Sequence, residues 1–205
     1  GLPVNVNHHV LIPRVDTEVL VDAVRDVFRD NLDGIRVLDM CAGTGCVGLA
    51  IAANLPFCRV LLADKSQEAL KISRSNTMKN NLTRRVTSIE LDALEAPPML
   101  LGLFDIIVCN PPYIPTDDLK ELDPSVREFE PAMALDGGPD GLRFYRSIVS
   151  EWKSVLKDKG LMAFECGVGQ ADSVQSILEQ NGFTDIKTYK DSLNIDRVII
   201  GTYHS

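Results

Sequence analysis

Apolar positions recur along the chain at two alternating periods, near 3.6 and near 2, and this divides it into helices and strands. A first helix is predicted from about Thr17 to Phe28, with Leu20, Val24, Val27 and Phe28 on one face and Asp16 as its N-cap. A β-rich run from Arg36 to Met40 follows, then a glycine turn and an apolar helix through Val47 to Ala53. A second strand is read at Arg59 to Ala63, a third helix over roughly Gln67 to Asn80, a third strand at Val86 to Leu91 and a fourth at Phe104 to Cys109. After a long loop, Leu142, Tyr145, Val149, Trp152 and Leu156 recur at helical spacing and form the clearest amphipathic stripe, read as core. A fifth strand is expected near Leu161 to Glu165, and a helix from Ala171 to Gln180 with Gly182 as its stop signal. Two last strands read as Thr184 to Tyr189 and Arg197 to Tyr203.

Strands alternating with helices predict a parallel sheet covered on both faces. About half a dozen residues separate the last two strands, too few for a parallel crossover, so the final strand should run antiparallel. The expected fold class is α/β: a doubly wound, Rossmann-like, seven-stranded and mostly parallel sheet with its last strand antiparallel. A single domain is expected over residues 1–205, with residues 1–16 as a lead-in segment. In a strand order 3-2-1-4-5, strands one and four meet where the order reverses, and ligands bind beyond the carboxyl ends of strands at such a point.

Composition narrows the partners. The 205 residues are 45% hydrophobic and 24% charged, ordinary for one globular domain. No apolar run approaches the roughly 18 residues needed to span a bilayer, and the chain starts without a signal pattern, so a cytoplasmic monomer is expected. Five scattered cysteines without a CxxC pair argue against a disulfide framework or a zinc site, and His8, His9 and His204 lie near the chain ends, so no metal is expected. The net charge of −8 offers no basic face for phosphates, which favours a protein or small-molecule substrate over stable nucleic-acid binding.

Three stretches carry candidate chemistry. Asp39-Met-Cys-Ala-Gly-Thr-Gly-Cys-Val-Gly48 follows a strand and opens a helix, with Gly43, Gly45 and Gly48 letting backbone approach a nucleotide-like ligand. Asp64 ends the second strand, where a carboxylate can accept both hydroxyl protons of a ribose; a helix cap or solvated turn charge is the plainer alternative. Asn110-Pro-Pro-Tyr113 follows strand four and should face the glycine turn across one cleft. An amide or exocyclic amine nitrogen is a poor nucleophile because its lone pair is delocalised. Two acceptors aimed at its N–H bonds would free that lone pair. The Asn110 side-chain oxygen can be one and a main-chain carbonyl of Asn110 or Pro111 the other. Pro111 and Pro112 fix φ and stiffen the turn, and Tyr113 can stack on the planar group. A donor with a positive sulfonium supplies its own leaving group, so positioning matters more than a strong base. A nicotinamide dehydrogenase would use the glycine turn and Asp64 but has no need of the second turn.

With these features in order, the chain resembles the class I S-adenosylmethionine-dependent methyltransferases, and among them the release-factor glutamine methyltransferases (the HemK/PrmC family), over nearly its whole length. The Asn-Pro-Pro-Tyr turn is shared with adenine-N6 and other amino-methyltransferases. Leu11-Ile-Pro-Arg-Val-Asp-Thr-Glu18, Phe129-Glu-Pro-Ala-Met-Ala-Leu135 and Asp136-Gly-Gly-Pro-Asp-Gly-Leu142 are closer to the narrower family. The resemblance implies S-adenosylmethionine as cofactor, held by Cys41, Ala42, Gly43, Thr44, Gly45, Asp64, Ala93 and Asn110. It implies that Asn110, Pro111, Pro112 and Tyr113 bind the substrate, with Asn110, Pro111 and Tyr113 catalytic. That substrate is the glutamine of the Gly-Gly-Gln loop of peptide chain release factors, methylated on its side-chain N5. An adenine-N6 methyltransferase acting on DNA or RNA is the alternative. The sequence departs from the family pattern at Cys41 and Ala42, where Gly and Thr or Ser are common. Val15 stands in place of a proline, and Ala93 where some members have an aromatic to flank adenine. The family's small helical N-terminal domain is absent from the chain, which points to an excised domain or a shortened chain. Arg14, Thr17 and Glu18 are read either as shaping the cleft mouth or as capping and a surface ion pair, and Glu165 as structural.

Overall fold

A computed structural model describes residues 1–30 and 33–205. Seven strands form one sheet in the order β3-β2-β1-β4-β5-β7-β6. The strands are β1 (Arg36–Met40), β2 (Arg59–Asp64), β3 (Val86–Glu90), β4 (Phe104–Cys109), β5 (Leu156–Glu165), β6 (Phe183–Lys190) and β7 (Asp196–Tyr203). β7 inserts between β5 and β6 and runs antiparallel to both, as the short connection required. The helices are α1 (Glu18–Phe28), α2 (Cys46–Asn54), α3 (Gln67–Lys79), α4 (Pro124–Arg127), α5 (Arg143–Trp152) and α6 (Ala171–Gln180).

The two faces of the sheet follow from the period-2 alternation of side chains. Val37, Ile106 and Val108 point to one face, where α1 and α2 supply Leu20, Val24, Leu49 and Ile51. Leu38, Met40, Ile107 and Cys109 point to the other, where α5 and α6 supply Tyr145, Val149, Trp152 and Val174. The Trp152 stripe is thus core, with Trp152 and Tyr145 fully buried.

Four local expectations are corrected. Asp16 does not cap α1: the cap position falls on Thr17, which makes no side-chain cap bond, because Asp16 instead pairs with Arg197 at 3.1 Å. The buried face of α1 is Leu20, Val21, Ala23 and Val24, while Val27 is exposed. β5 begins at Leu156 rather than Leu161, its first residues pairing with Phe104 across a register shift in β4. The segment between β4 and α5 is not plain loop: it carries α4 and short 3-10 turns at Thr116–Glu121 and Ala132–Ala134.

Candidate active site

β1 and β4 pair in parallel with Met40 opposite Cys109. The turns leaving their carboxyl ends therefore open onto one crevice, at the point where the strand order reverses. The crevice holds a cavity of about 310 Å³, within the range of small-molecule sites. Its wall includes Cys41, Ala42, Gly43 and Thr44 from the glycine turn and Asp64 from the end of β2. Ala93, Asn110, Pro112 and Thr17 complete the sequence-predicted residues that meet there. Gly45, Pro111 and Tyr113 stand behind this lining. Gly45 has a left-handed φ of 78°, and a Cβ there would lie 2.9 Å from Leu62. Pro111 is buried, and the half-buried Tyr113 sits against the Gly167 turn.

The glycine turn is held in a shape that leaves ligand space. Asp64 accepts from the Gly43 N–H and the Ser66 N–H, both at 2.8 Å, so one carboxylate fixes the turn to the start of α3. A Cβ on Gly43 would meet nothing within 4 Å, so this backbone presents an open face to the cavity. Gly48 serves packing instead. A Cβ there would lie 2.5 Å from Leu62 and 2.8 Å from Val60, so its absence lets α2 pack on the sheet. Cys41 holds a φ of 57°, a left-handed conformation that strains a side-chain-bearing residue.

The second turn is built around an unmet acceptor. The Asn110 Nδ2 donates to the Thr17 Oγ1 at 3.4 Å, and the Asn110 Oδ1 is buried without a partner. A buried orphan acceptor is costly unless something donates to it. The Tyr113 carbonyl accepts from the Gln170 Nε2 at 2.9 Å. Gly137 and Gly141 pack so closely on Tyr113 that a Cβ would approach its backbone to 2.7 Å and 2.3 Å. This close approach explains the glycines of the Asp136–Leu142 segment.

Sequence reading missed part of the wall. His9, Val10 and Leu11 of the lead-in segment line the cavity, as do Leu94 and Phe144 near Ala93. The buried Asn76 donates to the carbonyls of Thr44 at 2.9 Å and Asn5 at 3.1 Å, tying the glycine turn to the lead-in segment. Its position on the Ala69–Ser73–Asn76 stripe of α3 was the available signal. Arg14 pairs with Glu130 at 2.5 Å, and Glu130 is buried, so the Leu11–Glu18 and Phe129–Leu135 segments are pinned together.

Burial dominates the electrostatics. Asp39, buried beneath the turn with its Oδ2 accepting from the Gly48 N–H at 2.8 Å, has its carboxyl pushed up to about 7 by desolvation. Desolvation also raises Asp64, against the backbone donors of Ser66, Gly43 and Lys65, which lower it. Burial lifts the Cys109 thiol, so it does not invite a nucleophilic role. The Asp39 shift has a measurable consequence. Between the unfolded value of 3.8 and about 7, the folded chain holds a proton that the unfolded chain has released. The Asp39 contribution therefore favours folding below about 3.8 and is lost as pH rises through about 7. Asp39→Asn is expected to stabilise the chain at pH 8 far more than at pH 5, by a difference on the order of 1 kcal/mol or more. Chemical denaturation of both proteins at the two pH values checks this; equal effects would refute it.

The methyltransferase small domain family matches residues 15–122. The chain is 44% identical over 200 residues to the release factor glutamine methyltransferase of Clostridium acetobutylicum, covering 98% of this chain and 70% of that protein. It is 40% identical to the one of Thermodesulfovibrio yellowstonii, over 98% of this chain and 71% of the relative. Among solved structures, the hMettl16 catalytic domain in complex with the MAT2A 3'UTR hairpin 6 superposes with a TM-score of 0.77 at 16% identity, covering 100% of this chain and 76% of that one. TrmN from Thermus thermophilus does so with a TM-score of 0.62 at 21% identity, covering 89% and 48%. At such identities the structural likeness concerns the fold alone.

Proposed function

The chain belongs to the release factor glutamine methyltransferase family, and from this we propose that it transfers a methyl group from S-adenosylmethionine to the side-chain N5 of the glutamine in the Gly-Gly-Gln loop of a peptide chain release factor. The observation that carries the reading is Asn110, which lines the cavity together with the glycine turn and whose buried Oδ1 has no partner.

The residues present suit the cofactor. The open face of Gly43 leaves room for it, Asp64 offers carboxylate oxygens for ribose hydroxyls, and Leu91, Ala93, Leu94 and Phe144 give an apolar end for a base. When bound, S-adenosylmethionine supplies an electrophilic methyl group on a sulfonium. Asn110 Oδ1 accepts one N–H of the substrate amide, and a main-chain carbonyl of Asn110 or Pro111 accepts the other. The amide nitrogen would then be held with its lone pair available, at little cost in reorganisation; transfer would release S-adenosylhomocysteine, and the proton shed by the methylated nitrogen would pass to water. Pro111 and Pro112 keep the turn rigid, and Tyr113, packed against Gly137, Gly141 and Gly167 behind the lining, anchors it. Burial raises the Tyr113 phenol, so it stays protonated and positions rather than takes a proton. The release factor is the partner, met in the cytoplasm; no described helix is long and apolar enough to cross a membrane.

Transfer of labelled methyl groups into a release factor, abolished when its Gly-Gly-Gln glutamine is replaced, is the expected result. Transfer into DNA or RNA, with none into the release factor, would overturn the reading in favour of an adenine-N6 enzyme. That alternative has less support, since the relatives at 40–44% identity are release factor enzymes and the chain carries a net charge of −8.

A further inference from the structure

An amide side chain can face a substrate with either its oxygen or its nitrogen, and the difference decides whether it accepts or donates. At Asn110 the choice is made by what lies behind it. The parallel register sets Cys109 opposite Phe164, so Asn110, just past β4, and Glu165, the last residue of β5, lie side by side. Glu165 is buried with its Oε2 unpartnered, and the Thr17 hydroxyl and the Asn110 amide both act on its carboxyl as side-chain donors that lower it. Thr17, also buried, accepts from the Asn110 Nδ2 at 3.4 Å.

We infer that Thr17 and Glu165 are positioning residues that fix the Asn110 amide with its oxygen toward the substrate. The polarity follows from counting protons. A carboxylate only accepts. The Thr17 hydroxyl has one proton, which goes to Glu165, so its oxygen is left to accept from Asn110. Asn110 must then turn its NH2 inward, and its Oδ1 is left over for the cleft. The reversed amide would set its oxygen against the carboxylate, two acceptors with no proton between them. The position of Thr17 is in turn held from two sides. Its N–H donates to the Arg14 carbonyl at 3.2 Å, and the neighbouring Asp16 pairs with Arg197 at 3.1 Å. Burial raises the Glu165 carboxyl, and donation from Thr17 and the Arg197 charge act against that rise, toward the ionised, accepting form. Thr17 also lies in the cavity wall, and its hydroxyl acts on the reacting amide through Asn110.

This inference rests on the proposed reaction, in which Asn110 accepts an N–H of the substrate. Its test is the rate of methyl transfer to a release factor at saturating substrates, with cofactor affinity and thermal stability measured in parallel. Thr17→Val, of the same shape without the hydroxyl, is expected to lower kcat by about 10–50-fold, with the S-adenosylmethionine dissociation constant within about threefold of wild type. Thr17→Ser returns the hydroxyl and is expected to restore kcat to within about threefold. Glu165→Gln can donate as well as accept, so it unlocks the amide; kcat is expected to fall by a similar factor while stability holds or rises, a buried charge having been removed. Should Thr17→Val not fold, Glu165→Gln decides. A kcat within twofold of an active wild type for these variants, or a fall in stability and cofactor affinity alongside the rate, would overturn the inference and mark the network as structural. Absence of transfer by the wild-type chain would instead overturn the reaction itself, and the positioning role with it.

Discussion

Replacing Asn110 by alanine is expected to lower the rate of methyl transfer by roughly 10²–10³-fold, the scale of losing one preorganised group at a reacting centre. The Asn110 Oδ1 is buried and without a partner, so it is available to a substrate N–H and to nothing else described. In the proposed reaction its role lies in the transition state, where the amide nitrogen must give up conjugation and pyramidalise. The cofactor loses at most one neutral contact, so its affinity should change by no more than about tenfold. Single-turnover transfer from labelled S-adenosylmethionine measures the first quantity and an equilibrium titration the second. If rate and cofactor affinity fell by the same factor, Asn110 would be a cofactor ligand rather than a holder of the substrate amide.

The second large effect is expected at Asp64, and it should appear in binding. The carboxylate already accepts from the Gly43 and Ser66 N–H groups at 2.8 Å, and it faces the cavity. Its remaining lone pairs suit two ribose hydroxyls. Asp64→Ala removes both of those bonds and frees the glycine turn. At about 1.5–3 kcal/mol for each hydrogen bond to a charged group, affinity for S-adenosylmethionine should fall at least roughly 10²-fold. The rate at saturating cofactor should fall much less. Calorimetric titration of both proteins decides it: an affinity change below about threefold would return Asp64 to the plainer role of capping the turn into α3.

Much of this was legible in the chain. Boundaries of β1, β4 and α6 agree with the periodicity, because Arg36–Met40 and Phe104–Cys109 are short β-rich runs and Gly182 ends its helix with a φ of 87°. The antiparallel β7 followed from connection length. Local patterning was less reliable where a distant partner intervened. Asp16 looked like a helix cap until Arg197 claimed it, and the first residues of β5 had no strand pattern until β4 offered a register. The candidate turns were visible as glycines, prolines and an Asp at strand ends, because backbone shape there depends on residue type.

What the sequence by itself determined is the order and identity of elements, the doubly wound sheet, and the two turns that must meet at its reversal point. These follow from hydrophobic period, connection length and the φ preferences of glycine and proline, all local quantities. Only the tertiary structure decided which side chains share a contact across long stretches of chain. It brought Asn76 to Thr44, Glu130 to Arg14, and both Thr17 and Glu165 to Asn110. Thr17 in particular had two readings in the sequence, a cleft-mouth residue or a helix cap. The structure sets it both in the cavity wall and in contact with Asn110, a pairing the sequence could not show because a hydrogen bond between residues 93 positions apart depends on strand register and burial rather than local pattern.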